Sequence, residues 1–342
     1  MSEQKHLVLV SDAWLPQTNG VVTLLLQLIK QLETLGIRAT VIHPGEFRVI
    51  QLPGYSEVGI VCNPWQLGKK LVSLRPDYIH IPAEGPLGLA ARSFCKKHGL
   101  PYTTALHTKL PDYAKALYGI PISLGNAYLR WFHKFANARI VQSEGHSRDL
   151  QQIGLTELSV VGGGVDLDVF HPQELLPRQR PVLLFVGRVS KEKQVEQFLE
   201  LNLDAEKIVV GDGPHRATLE RQFPNAIFKG YLRGEPLVTE YAQADCFVFP
   251  STTDTFGLVL VEAMACGTPV AAYPVTGPKD LVKEGINGAL SHSLEDAVVR
   301  ALKVDRQGCQ ASVQEYGWQN AALKFSNVLR ESQIDSFPQR AT

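Results

Sequence analysis

Residues 246–273 read Cys246-Phe-Val-Phe-Pro250-Ser-Thr-Thr-Asp254-Thr-Phe-Gly257-Leu-Val-Leu-Val-Glu262-Ala-Met-Ala-Cys-Gly267-Thr-Pro269-Val-Ala-Ala-Tyr273. Cys246–Phe249 has the length and composition of a buried strand. A polar loop follows, then a helix over Gly257–Ala265 with Gly267 just beyond it, then a second strand over Pro269–Tyr273. Strand, helix and strand in so short a span form a crossover unit, and crossovers of this kind join parallel strands.

The rhythm repeats on both sides of this stretch. Upstream, Pro181–Val186, Lys207–Val210 and Ala226–Lys229 read as strands, with helices expected over Lys193–Leu201 and His215–Gln222. Downstream, Leu294–Leu302 reads as a helix. In the first half, strands are expected at His6–Val10, Arg38–His43, Asp77–Ile81, Tyr102–Leu106 and Arg139–Gln142, with helices at Gly20–Leu35 and Leu87–His98. The stretch Pro172–Pro181 holds three prolines and few apolar positions, which is linker composition. The fold class is therefore α/β: two Rossmann-like, doubly wound domains, 1–174 and 175–321. A length of 342 residues agrees, at about 100–200 residues per domain.

Composition narrows the function classes. Lys+Arg and Asp+Glu both number 34, so no global field attracts nucleic acid. Five cysteines at long spacings, without a C-x-x-C, argue against a disulfide framework or a structural zinc site. The opening residues, Met-Ser-Glu-Gln-Lys-His, run straight into a strand and do not read as a signal peptide. Val21–Ile29 is far shorter than the roughly 20 residues a membrane-spanning helix needs. The expectation is a cytoplasmic protein.

In doubly wound sheets, ligands sit beyond the carboxyl ends of the strands. Ser251–Gly257 is such a loop, and its amides with the next helical turn form a natural phosphate site. Asp254 in the loop and Glu262 in the helix can face one ligand, and carboxylates accept from sugar hydroxyls. Alone, the pair reads equally as a helix cap and a solvated helix residue. The apolar neighbours of Glu262 favour a partner for it.

The segment resembles the E-x7-E signature of the retaining glycosyltransferases of family 4, which have the GT-B fold. Asp254 stands at the first acidic position and reaches about 1.5 Å less than a glutamate. The resemblance implies that Asp254 and the loop amides of Phe256, Gly257 and Leu258 hold a donor sugar, while Glu262 binds the nucleotide ribose. Gly187-Arg188-Val-Ser-Lys-Glu-Lys193 resembles the family's G-R-x-x-x-x-K, which implies Arg188 and Lys193 on the donor diphosphate. Two fixed cations suit that task, because charge builds on the leaving phosphate. Gly211-Asp-Gly-Pro214 and Lys229-Gly-Tyr231-Leu232 resemble segments near the nucleotide, though each also reads as a plain turn. In the first half, Asp12-Ala-Trp-Leu-Pro-Gln-Thr-Asn-Gly20-Val-Val22 is similar to the family's first strand–helix loop. There Gly20 lets a phosphate approach the backbone. His107 in Leu106-His107-Thr108 matches a histidine at the family's reaction centre; by itself it reads as a core histidine. Glu84-Gly-Pro-Leu-Gly88 matches too, with no role assigned.

The resemblance extends over almost the whole chain. It implies a GT-B architecture, two domains facing across a cleft, with residues 322–342 crossing back to the first. It also implies a hexosyltransferase that uses no cofactor and no metal. The co-substrate is a nucleotide-diphosphate sugar, GDP-mannose or a UDP-hexose. Same-face attack, with the departing phosphate taking the acceptor proton, suits the residues better than a carboxylate nucleophile. The subgroup most resembled includes bacterial mannosyl-, sulfoquinovosyl- and glucosyl-lipid transferases. It implies a lipid or glycan acceptor and a peripheral membrane contact at the inner face of the cytoplasmic membrane. Tyr128–Phe135 is aromatic and basic, as an interfacial helix is, although an aromatic stripe at helical spacing also reads as core. Two other readings share these residues: a sugar-nucleotide epimerase of the same architecture, and a silent nucleotide-sugar binding module. No G-x-G-x-x-G follows the first strand, which sets a dinucleotide-dependent dehydrogenase aside.

Overall fold

The structure is a computed structural model that describes residues 4–17, 19–52 and 55–338. Met1–Glu3, Thr18 of the first strand–helix loop and the last four residues lie outside the described residues. The strands are β1 (Lys5–Val10), β2 (Ile37–Ile42), β3 (Val49–Leu52), β4 (Tyr55–Val61), β5 (Tyr78–Ile81), β6 (Thr103–Leu106), β7 (Ala138–Val141) and β8 (Leu158–Val160). The second half adds β9 (Val182–Val186), β10 (Glu206–Val210), β11 (Ile227–Gly230), β12 (Cys246–Phe249), β13 (Val270–Ala272) and β14 (Gly288–Leu290).

Two six-stranded sheets result, in the orders β2-β1-β5-β6-β7-β8 and β11-β10-β9-β12-β13-β14. Every pairing within them is parallel. The antiparallel hairpin β3–β4 stands apart, and the sequence rhythm does not announce it. Along β9 and β10, alternate residues enter two different cores. Leu184, Ile208 and Val210 pack on one face with Leu260 and Met264. Leu183, Phe185 and Val209 pack on the other with Phe198 and Val298. Both faces are covered, so these strands read as continuous apolar runs rather than alternating ones. The strand order reverses direction at β1/β5 and at β9/β12. Those are the switch points beyond whose carboxyl ends a ligand crevice opens.

The chain divides into two compact units: Met1–Gly162 with Trp318–Thr342, and Gly163–Gly317. The expected linker Pro172–Pro181 lies inside the second unit. Arg178 donates there to the Gln243 carbonyl and to the Asp245 carboxylate. The ends of the second unit are joined to each other: Val165 N–H donates to the Tyr316 carbonyl at 2.7 Å, and Val165 bridges Gly317. The helix Trp318–Arg330 belongs to the first unit, where the Phe325 ring meets His80 edge-on at 4.9 Å.

One expected helix is broken. In place of a helix from Lys193 to Leu201, a 3-10 turn spans Lys191–Lys193 and a short helix spans Val195–Leu199. Gln194 between them takes a left-handed backbone, φ 53° and ψ 39°. For a non-glycine residue that conformation costs about 1–2 kcal/mol.

Candidate active site

In the second unit, the loops after β9 and β10 interlock. Gly187 N–H donates to the Val210 carbonyl at 3.0 Å, and Val189 N–H to the Asp212 carbonyl at 2.9 Å. Gly211 sits where this weave is tightest. Its φ is +135°, and a Cβ there would stand 1.9 Å from the Gly187 carbonyl oxygen. The glycine expected near a ligand is therefore demanded by the packing of the two loops themselves.

The weave aims the β9 loop at the β12 loop. Lys193 Nζ lies 2.6 Å from Asp254 Oδ1, with both side chains about one-fifth exposed. The family resemblance implies different tasks for these groups, one on phosphate and one on sugar; the structure pairs them. A charge-assisted bond of this length holds Lys193 in place. Asp254 Oδ2, Ser251 Oγ, Thr253 Oγ1 and Gln194 Oε1 are buried without a hydrogen-bond partner. Each such atom costs about 1–3 kcal/mol. Four together, on adjoining loops, mark a place where a hydroxyl-rich ligand would gain most. Arg188 is partly buried on the same loop as Lys193.

Gly257, at φ +89°, opens the helix Leu258–Ala265. Phe256 is buried in the core, and its ring lies 6.1 Å from that of Tyr316. The Leu258 side chain also packs against that core. Neither side chain is left for a ligand, so only backbone amides at these positions can serve. Glu262, one turn on, accepts a hydrogen bond from the Tyr241 hydroxyl at 2.9 Å through Oε2. Burial pushes its carboxyl up to about 7, and the Tyr241 bond opposes that shift. Tyr241 itself is fully buried and holds this carboxylate in place. Sequence reading missed it, because the contact joins two helices 21 residues apart. Tyr231 is exposed, its hydroxyl accepting from Arg233 Nε at 2.9 Å, and Leu232 packs partly against the core.

In the first unit, Asp12 follows β1 and caps the helix Pro86–His98. Its two oxygens accept from Leu87 N–H at 2.9 Å and Gly88 N–H at 3.0 Å. That explains the segment Glu84–Gly88, which the sequence left without a role: it is locked to the first loop through Asp12. Burial raises the Asp12 carboxyl to about 6, against the pull of those amides. Gly20 begins the helix Gly20–Thr34, capped by the Asn19 side chain accepting from Val22 N–H. A Cβ at Gly20 would meet nothing within 4 Å, so neither packing nor backbone requires a glycine there. His107 follows β6 and lines a small cavity with His80, Gln142 and Phe325. Burial, with His146 nearby, pushes its imidazole down to about 4, which keeps it neutral at pH 7. Among the described residues, no group of three or more His, Cys, Asp or Glu side chains is arranged to hold a metal ion.

Residues 18–169 match the family Glycosyltransferase Family 4, and residues 167–303 match Glycosyl transferases group 1. The chain is 30% identical to a GDP-mannose-dependent alpha-mannosyltransferase of Mycobacterium tuberculosis, over 87% of this chain and 88% of that one. It is 24% identical to an alpha-monoglucosyldiacylglycerol synthase of Acholeplasma laidlawii, over 86% of each. A solved sucrose-phosphate synthase from Thermosynechococcus elongatus is similar with a TM-score of 0.78 at 19% identity, covering 96% of this chain and 98% of that one. That last likeness speaks to the fold alone. Two parallel-sheet Rossmann-like units, matched by these families over residues 18–303 and by relatives over most of the chain, make the chain a member of the family 4 glycosyltransferases, with the GT-B fold.

Proposed function

We propose that this glycosyltransferase moves a hexose from a nucleotide-diphosphate sugar, GDP-mannose or a UDP-hexose, to a lipid or glycan acceptor. It does so with retention of anomeric configuration and without a metal ion or cofactor. The observation that carries the reading is the Lys193–Asp254 pair at the carboxyl edge of the second sheet, set among buried oxygens without partners. Arg188 and Lys193 hold the diphosphate and stabilise the charge that builds on it as it leaves. Asp254 and the amides of Gly257 and Leu258 hold the hexose, and Glu262 accepts from the ribose. Gly187, Gly211, Tyr231 and Leu232 shape the nucleotide side. Gly20 and His107 act from the first unit, Gly20 at the phosphates and neutral His107 beside the sugar. The acceptor oxygen attacks the anomeric carbon on the face the phosphate leaves. The carbon–phosphate oxygen bond breaks, and the departing nucleoside diphosphate takes the acceptor proton.

A surface on the first unit supports a lipid acceptor. The helix Ile122–His133 buries Leu129 and Phe132 but leaves Trp131 and nearby Phe135 about half exposed. Arg92 stacks over Trp131 at 4.0 Å, and Lys96 lies over Phe135 at 4.5 Å. Arg92 is itself buried and donates to the Trp131 and Phe132 carbonyls, so the exposed cations here are Lys96 and Lys134 at Phe135. With the exposed aromatics they suit an anionic membrane surface at the inner face of the cytoplasmic membrane. Among the described residues, no helix is long and apolar enough to cross a membrane. The test supplies GDP-mannose or UDP-glucose with diacylglycerol in anionic vesicles and reads the product anomer by NMR. The expected product is the α-linked hexoside, and doubly substituting Trp131→Ala and Phe135→Ala removes turnover on vesicles but not on a short-chain soluble acceptor. A β-linked product overturns retention.

Glu262 gives the reading a pH signature. Its carboxyl titrates near 7, and only the ionised form accepts two ribose hydrogen bonds. Nucleotide affinity is expected to rise as pH increases through 7 and then level off. Stability without ligand runs the other way: the folded pKa is raised, so stability falls as pH climbs from the unfolded value of 4.5 toward 7. Calorimetric titration of GDP or UDP across pH 5.5–8.5 checks the first trend. The diphosphate's own ionisation contributes equally to wild type and Glu262→Gln, so the trend must flatten in the variant.

A further inference from the structure

On the carboxyl edge of the second sheet, beside the Lys193–Asp254 pair, lies an open groove lined by Gln194, Gln197, Thr252, Tyr273, Val275 and His292. None of its lining residues is Lys, Arg, Asp or Glu. Its polar groups are two amides, a hydroxyl, a phenol and an imidazole. The Tyr273 hydroxyl donates to Gln197 Oε1 at 2.7 Å, which fixes both side chains. Gln194 reaches Thr252 Oγ1 through Nε2 at a loose 3.4 Å, and its Oε1 is buried without a partner.

Gln194 is the unusual member. Its left-handed backbone, φ 53°, is one that glycine adopts without strain. The position carries a long amide where the backbone favours no side chain at all. Strain of this kind persists only where the surrounding structure imposes it, and such residues cluster at ligand sites. Gln194 lines the groove, and the terminal torsion of an amide is broad, so its unspent acceptor can turn to meet a ligand there.

We propose that this groove is a second carbohydrate subsite, which holds a neutral glycan next to the transferred hexose. The chemistry decides the class. A sugar hydroxyl both donates and accepts, and so does each polar side chain that lines the groove. Val275 and the Tyr273 ring offer apolar surface to the C–H face of a pyranose. Without a fixed cation or carboxylate the groove has no means to hold a phosphate, a sulfonate or an ammonium group. Its open form suits a chain that runs along it rather than an enclosed monosaccharide. The proposal rests on the transferase reading for the ligand class, not for the geometry.

Saturation-transfer NMR with maltotriose as the probe tests it, on wild type, Gln194→Gly and Tyr273→Phe, with a thermal-shift titration of GDP and UDP in parallel. Gln194→Gly relaxes the backbone, so the variant folds, and Tyr273→Phe removes only a hydroxyl. The expected result is ring-proton saturation by wild type and a loss of affinity of about tenfold in each variant, one polar contact apiece, with the nucleotide shift unchanged in Tyr273→Phe. Equal saturation in all three proteins overturns the subsite. So does no saturation in wild type while a nucleotide still shifts the melting temperature. Variant-sensitive trisaccharide binding without any nucleotide shift supports the subsite and sinks the donor reading instead.

Discussion

Lys193→Met is expected to lower kcat by about 10²–10³, the loss typical of removing one preorganised group from a developing negative charge. Lys193 Nζ sits 2.6 Å from Asp254, on a loop clamped to its neighbour by two backbone hydrogen bonds. It therefore needs little reorganisation when charge reaches the leaving phosphate. The substitution also strips Asp254 of its counter-charge, and Asp254 Oδ2 is already without a hydrogen-bond partner. A buried carboxylate with neither partner repels a diphosphate, so KM should rise as well. Lys193→Arg keeps the charge and should recover much of kcat. Steady-state kinetics with the preferred donor, alongside thermal unfolding, checks this. A folded Lys193→Met protein with kcat within threefold of wild type would remove Lys193 from the mechanism.

Gly211→Ala is expected to destabilise the protein by more than about 3 kcal/mol, in the range where a single change needs a named structural cause. The cause is double. The backbone at φ +135° is essentially closed to alanine, and the new methyl would lie 1.9 Å from the Gly187 oxygen. The β9 and β10 loops must part, and with them the carriage of Arg188 and Lys193. For a folding unit the size of Gly163–Gly317 the melting temperature should fall by roughly 6–12 °C. Gly20→Ala is the contrast. Nothing lies within 4 Å of a Cβ there, and alanine suits a helix start better than glycine. Its melting temperature should hold or rise, while turnover drops if a donor phosphate approaches that backbone. Differential scanning calorimetry and kinetics on the two variants separate a glycine kept for packing from one kept for a ligand. Equal melting temperatures in both would sink the distinction.

The central strands were legible because they are short apolar runs buried on both faces, as Leu183–Val186 is, whereas the three-residue strands Leu158–Val160 and Gly288–Leu290 were too short to read. The hairpin Val49–Val61 was not, because its apolar and polar residues alternate weakly, even though Pro53-Gly54 is a turn signal in the sequence. The helix expected over Lys193–Leu201 failed at Gln194, whose left-handed backbone no propensity scale announces. Within the site, Asp254, Glu262, Arg188 and Lys193 stood out through the motif spacings that resemble the family's, not through their charge alone. Their partners did not. Tyr241 on Glu262 and Asp12 on the Pro86–His98 helix are contacts across 21 and 75 residues, and sequence spacing carries no trace of such a distance. The pairing of Lys193 with Asp254 was hidden in the same way.

The second unit is entered after Gly162 and left before Trp318, and its two ends are tied by the Val165–Gly317 bridge. During synthesis, the first unit therefore waits. Its sheet emerges early, but the faces that Phe325, Leu329 and Ile334 bury stay uncovered until the entire second unit has left the ribosome. The second unit, closed on itself, can fold meanwhile. A released chain that ends at Gly317 should hold a finished second unit and a first-unit sheet still open to proteases.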